Sequence, residues 1–464
     1  MMSSSLRLFL AVFLTTALAG AANEQTHPPE TEKWFPSQIA PVQEIAVTLS
    51  STNFEMIRDL AAVLAEKNKK EPSKAIQLRV FYPESFEPLA DQMKSTSATE
   101  LENLKKSIEQ KTDKNFADQV KYHAFNYLQF PWINDLGESF WIREKEGKDK
   151  KAERPWKRSF VDLNPGNRRA PASSKSKWPL DSKAIFESSL PLEEPQFLRD
   201  SLRTVYQWES TQLPVVVQDI EFSSLGNRGS NLIILPEGTA LVGSSAPSEM
   251  KTLLETLTGK KVLVADTEFM DTKNISYLFN VVPSNNPCGY TLLKTDVVWG
   301  AELAKLGHHK NSHKNNKYSA FVNEKIKSSQ KQIDAGAEML AKHLKETKAC
   351  ENLATITLPV LPVVPDFEEY TEAMREDYEL PGLRLSTPST AFLNLNGSLV
   401  LSNFAESPQK FRKNLRELTL KQLEKAGYSS GQIHFIQPPG EDENAGGLRN
   451  AALVLRAGPM SVSN

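Results

Sequence analysis

Two cysteines, Cys288 and Cys350, are the only thiols among 464 residues. A thiolate can attack an electrophilic carbon or bind a soft metal, and each task needs partner groups at fixed spacing. No CxxC or HExxH spacing occurs, so a metal centre built on these residues lacks ligands. In an oxidising compartment two thiols have a plainer use, one structural disulfide, and sequence leaves open whether their Cα atoms come close enough. Three of the seven histidines fall in GHHKNSHKNNK, from Gly307 to Lys317. With no carboxylate or thiol beside them, that run reads as a mobile loop rather than a metal site. Asp135 lies in an NDLG turn, where it either forms the turn or projects as a carboxylate ligand. The segment REKEGKDKKAERPWKR (Arg143 to Arg158) reads as a solvated hairpin tip.

The elements that must position these groups begin after an N-terminal address. Arg7, the apolar run LFLAVFLTTAL (Leu8 to Leu18) and the small residues Ala19, Gly20 and Ala21 predict a signal peptide over residues 1–21. The apolar run is about half of what a spanning helix needs, and no later stretch is long and apolar enough. The expected product is therefore secreted or periplasmic, with no membrane span after signal cleavage. A formal net charge of -2 excludes nucleic acid as the main partner, because phosphate binding needs a basic excess.

Residues 22–42 are expected to form an extended lead-in, and residues 43–464 a single α/β domain. Strand EIAVTL (Glu44 to Leu49) precedes a helix over Asn53 to Lys67, with Phe54, Ile57, Leu60, Ala61 and Leu64 on one face. Strand QLRVFY (Gln77 to Tyr82) and a polar helix around Ala98 to Gln110 follow. A β-β-α-β unit then recurs. NLIIL, the turn PEGT and ALVG form a hairpin, a helix closes at Gly259, and KVLVA (Lys261 to Ala265) completes the unit. Near the C-terminus FLNL, the Asn396-Gly397 turn, SLVLSN, a helix over about Gln409 to Ala426 and IHFIQ repeat it. A looser copy spans 139–217, with SFWI, SFVDL, a helix from about Glu194 to Trp208 and LPVVV. Such units bury their apolar faces on one another, which predicts a ring with helices outside and a central pocket.

Five stretches in order resemble the peptidylarginine deiminases and agmatine deiminases, guanidine-modifying enzymes. FPWINDLGESFW (Phe130 to Trp141) is similar to the family's Trp-x-x-Asp segment, and RGSNLIILPEGTALVG (Arg228 to Gly243) to its Gly-Gly-Asn strand and hairpin. DTKNISYLFNVVPS (Asp271 to Ser284) resembles the stretch with Gly-His-Val-Asp-Glu. FLNLNGSLVLSN (Phe392 to Asn403) resembles the Phe-Pro-Asn-Met segment, and GGLRNAALVLR (Gly446 to Arg456) the terminal His-Cys-Gly-Thr-Asn strand. The resemblance implies a pentein-like fold, a pseudo-symmetric propeller of five ββαβ modules around a central pocket. It also implies a chemistry in which two Asp grip a guanidinium, a Cys thiolate attacks its carbon and a His protonates departing ammonia.

Carried over residue by residue, those roles meet a degenerate site. Asp135 matches the first carboxylate. Asn274 stands at the His position, Ser276 at the second Asp and Asn450 at the Cys, with Arg449 replacing the His before it. An amide is neither a nucleophile nor a proton donor for ammonia, and loss of a covalent nucleophile costs orders of magnitude. Asn274 and Ser276 have a plainer reading as neutral surface residues on a strand edge. Arg449, if it faces the pocket, would repel a guanidinium and pair with Asp135, or recruit a carboxylate. The leading expectation is a pseudoenzyme that binds an arginine-like group, a carboxylate ligand or a protein partner. The alternative is an active arginine or guanidine deiminase with a rearranged site. No cofactor is expected. Vertebrate members of the family use calcium, but no dense run of carboxylates supports a calcium site here.

Overall fold

The computed structural model describes residues 31–50, 52–83, 90–125, 137–144, 156–162, 204–206, 209–210, 231–270, 273–304, 313–363, 382–386, 390–404, 409–438 and 447–458. The expected signal segment, Asp135 and the middle of the Arg143 to Arg158 run lie outside them. Among the described residues no helix is long and apolar enough to cross a membrane.

The segment read as a lead-in is already part of a sheet. Strand β1 (Thr31–Trp34) pairs antiparallel with residues 141–144, Trp34 opposite Trp141. Next come β2 (Val42–Thr48), β3 (Gln77–Pro83) and β4 (Lys121–Phe125), which run parallel in that order. Helix α1 (Phe54–Lys70) links the first two, and α2 (Ala90–Lys111) and α3 (Lys114–Gln119) link the second and third. The predicted stripe on α1 is buried at Ile57, Leu60, Ala61 and Leu64, and the burial extends to Lys67. Asp113 starts α3 by accepting a hydrogen bond from the Phe116 N–H at 2.8 Å, a helix cap.

Strands β5 (Gly137–Glu144) and β6 (Lys157–Asp162) form the hairpin that flanks the charged run. Among the described residues the parallel neighbour of β6 is β7 (Glu209–Ser210). LPVVV and most of the helix expected before it lie outside the described residues. The central unit is β8 (Leu232–Ile234), β9 (Ala240–Gly243), α4 (Ser248–Thr258) and β10 (Leu263–Ala265). Gly259 ends α4 in the left-handed region, where a side chain is strained.

Strands β11 (Phe279–Pro283) and β12 (Tyr290–Asp296), helices α5 (Val297–Ala304) and α6 (His313–Glu346), and β13 (Thr355–Pro359) make a further unit that the sequence pattern did not separate. Helix α6 begins inside the His-rich run, so His313 to Lys317 are helical and the loop reading is corrected there. A small pair, β14 (Pro362–Val363) and β15 (Arg384–Leu385), precedes β16 (Leu393–Leu395), β17 (Ser398–Ser402), α7 (Gln409–Lys425) and β18 (Ile433–Ile436). Helix α8 (Gly447–Ala451) leads into β19 (Ala452–Arg456), which pairs antiparallel with β2 and so joins the last described strand to the parallel β2–β3–β4 sheet.

One order recurs in five of the sheets among the described residues. An antiparallel pair (β5–β6, β8–β9, β11–β12, β16–β17, β19–β2) is extended by a parallel strand (β7, β10, β13, β18, β3). Neighbouring sheets share apolar clusters. Phe35 and Phe140 pack with Leu232 and Val242, and Ile233 and Leu241 with Tyr277 and Phe279. Val282 and Leu293 meet Leu399 and Leu401, and Leu393 and Val400 meet Ile45 and Val47. The Trp141 indole N–H donates to the Arg456 carbonyl at 3.3 Å, tying β5 to β19. Each large aliphatic side chain buried this way contributes about 1.5–3 kcal/mol, which makes the contacts between sheets a main source of stability.

Candidate functional site

The segment carrying Asn274 and Ser276 is held by the central hairpin. Asn231, fully buried at the head of β8, accepts through Oδ1 from the Gly243 N–H at 3.2 Å and the Ile275 N–H at 2.9 Å. Position 243 is tight, because a Cβ there would stand 2.5 Å from Thr267 Oγ1 and 2.6 Å from Asn231 Oδ1, so that a larger residue would force one of them to shift. The Ser245 hydroxyl donates to the Lys273 carbonyl at 3.1 Å. Two side chains thus tie the hairpin to the start of the 3-10 turn Ile275–Tyr277.

Asn274 is the cap of that turn. Its Oδ1 accepts from both the N–H and the hydroxyl of Ser276, each at 3.0 Å. Their exposures are 2% and 0%, which corrects the reading of these residues as neutral surface positions on a strand edge. The hydroxyls of Thr295 and Thr390 both donate to the Tyr277 carbonyl, at 2.7 and 2.8 Å. The turn is therefore fixed from both sides.

Arg449 reaches the same hairpin from α8. It is buried, and its Nη2 donates to the Leu232 carbonyl, one residue from Asn231. Asp135, the carboxylate expected to pair with it, lies outside the described residues. Asn450 belongs to α8 by its backbone. Residues 231, 274, 276 and 449 are thus brought to one end of the β8–β9 hairpin. Arg456, also buried, donates through Nη1 to the Ala40 carbonyl at 2.6 Å. Arg449 and Arg456 line a cavity of about 20 Å³ with Gln38 and Asn394, room for about one water.

Sequence reasoning did not single out Asn231, Asn394 or Arg456. Arg456 carried a usable signal, a charge at the end of the apolar strand ALVL. Asn394 sits likewise between two leucines in FLNL. Polar side chains embedded in apolar strands must find partners.

Cys288 and Cys350 are joined in a disulfide, with Cα atoms 5.2 Å apart. The bond ties the β11–β12 connection to the residues following α6. Among the described residues no group of three or more His, Cys, Asp or Glu could hold a metal ion.

No family model matches the sequence, and a search of curated proteins finds no significant match. Solved structures do align with it. The chain is similar to agmatine deiminases. The C. jejuni agmatine deiminase aligns over 94% of this chain and 99% of its own, with 11% identity and a TM-score of 0.48. The Enterococcus faecalis agmatine deiminase aligns over 91% and 96%, with 10% identity and a TM-score of 0.49.

Proposed function

We propose that this chain is a non-catalytic protein of the deiminase fold, secreted or periplasmic, that acts by binding. In this reading the five sheets close as a propeller whose axis passes near Asn231, Asn274 and Arg449. The succession of shared apolar clusters, and the Trp141 to Arg456 contact, support the closure.

The observation that carries the absence of catalysis is the state of the nucleophile. Deimination by the family's route needs an ionised thiol at the guanidinium carbon. The chain has two cysteines, and both are bound to each other. A second observation agrees with it. At the positions that resemble the family's proton donor and second carboxylate, Asn274 and Ser276 bond to each other. That pairing gives the turn a structural task in place of acid–base work.

The test is direct. The purified mature protein, incubated with an arginine ester and with agmatine, with and without calcium, should form no citrulline, carbamoylputrescine or ammonia above a heat-killed control. Product formation removed by Asp135→Ala would overturn this reading in favour of an active deiminase with a rearranged site.

A further inference from the structure

A second cavity, of about 510 Å³, opens between the C-terminal turns of α1, the Asn396-Gly397 turn and the start of β18. It shares no lining residue with the cavity of Arg449 and Arg456. Its volume is that of a small-molecule site, and its chemistry is set by three lysines from one short stretch, Lys67, Lys70 and Lys74.

Lys67 is 4% exposed. Its Nζ donates to Glu71 Oε1 at 3.0 Å and to the Asn396 carbonyl at 2.9 Å. An ammonium has three N–H groups, so one remains for the cavity. Glu71 is shared, since its Oε2 meets Lys74 Nζ at 3.0 Å, and Glu66 meets Lys70 Nζ at 2.6 Å. Three ammoniums therefore face two carboxylates on this wall. His434 lines the cavity from β18, and its ring makes no hydrogen bond among the described residues. Burial is the main cause that holds its pKa below the ordinary histidine value; Glu66 opposes this, and Lys70 and Lys67 add to it.

The plainer account is that the lysines offset the dipole at the end of α1. That account covers Lys70, at the helix terminus, but not the burial of Lys67 with its ammonium on a cavity wall. Burying a cation costs free energy unless it is paired; Lys67 is paired with Glu71, but Glu71 also serves Lys74, so the wall as a whole carries one more ammonium than carboxylates.

We propose that this cavity binds a phosphate group, seated among Lys67, Lys70, Lys74 and His434. Lysine binds phosphate as a point charge, whereas planar recognition of a carboxylate calls for arginine, and among the described residues no arginine lines the cavity. A surplus of one cation, with a neutral imidazole able to take up a proton beside the anion, suits a phosphate that carries one to two charges. The remaining volume would hold the organic part of a phosphate ester.

The test uses the full mature chain labelled in its histidine rings, with the His434 signal assigned from His434→Gln. It is titrated at constant ionic strength with glucose 6-phosphate, inorganic phosphate, glucose and sodium chloride. A saturable shift of the His434 signal with either phosphate, absent with glucose and chloride, is the expected result, together with a rise in the pH at which His434 titrates. Tighter binding of the sugar phosphate would identify an ester as the ligand, and equal binding would identify free phosphate. Lys70→Gln/Lys74→Gln, at two exposed side chains, should weaken binding by about tenfold. No saturable shift, an equal shift with chloride, or unchanged affinity in the double variant would overturn the proposal.

Discussion

The Oδ1 of Asn274 accepts two hydrogen bonds from Ser276, one from its N–H and one from its hydroxyl, both at 3.0 Å. A single buried amide oxygen thus serves as the cap of a turn and as the partner of a side chain that water does not reach. Asn274→Ala removes both bonds and leaves two buried donors without that acceptor, an expected loss of about 2 kcal/mol. Ser276→Ala removes one donor together with its hydrogen, and should cost less than about 1 kcal/mol. Urea unfolding of the two variants measures the difference, and the reverse ranking would show that Asn274 is not the anchor of this turn.

Gly243 allows the contact that places the turn. Gly243→Ala would push a methyl group against Thr267 and against the Asn231 oxygen that holds Ile275. A destabilisation of about 1–3 kcal/mol is expected. Hydrogen exchange at the Ile275 amide should rise more in this variant than exchange at β12 amides; a uniform rise would indicate general loosening instead.

The disulfide spans a sequence separation of 62 residues. On a chain-entropy account, closing a loop of that length stabilises the fold by about 4 kcal/mol. Cys288→Ser/Cys350→Ser should lower the urea midpoint accordingly while leaving far-UV circular dichroism unchanged. A midpoint equal to that of the parent protein would mean that the bond does not constrain the unfolded chain.

Two histidines predict a loss of stability on mild acidification. Burial is the main cause that lowers the pKa of both His123 and His434 from 6.5; the Arg79 and Lys121 charges add to it at His123, where Glu44 opposes. A folded-state pKa below the unfolded one means that the unfolded chain takes up protons first. The stability contribution is complete above about pH 6.5 and declines as the pH falls through that value. The melting temperature should therefore fall between pH 7.5 and pH 5.5, and His123→Gln/His434→Gln should flatten that change. A parent protein with equal melting temperatures at the two pH values would refute it.

Much of this architecture is legible along the chain because local rules act there. The Asn396-Gly397 pair forms its turn with both residues at positive φ, 51° and 89°, a requirement that few residue types meet. Gly259 stops α4 for the same reason, and the stripe on α1 follows from the helical period. The unit of β11, β12 and β13 escaped this reading because its crossover is two helices with a long connection, so its third strand lies far along the sequence. The parallel partner of β6 escaped it because β7 is two residues long, too short to leave a pattern.

The candidate site divides along the same line. Residue types alone settle that no arrangement of this chain offers more than two thiols, and that an amide, a hydroxyl and an amide stand at 274, 276 and 450. Whether those thiols meet, whether Asn274 faces water or Ser276, and whether Arg449 comes within reach of the Leu232 carbonyl were decided by packing. Such partners lie 62 to 217 positions apart or differ only in rotamer. A sequence fixes which groups exist, but only the register between sheets fixes which of them come within a hydrogen bond, since that range is short compared with the spacing of strands.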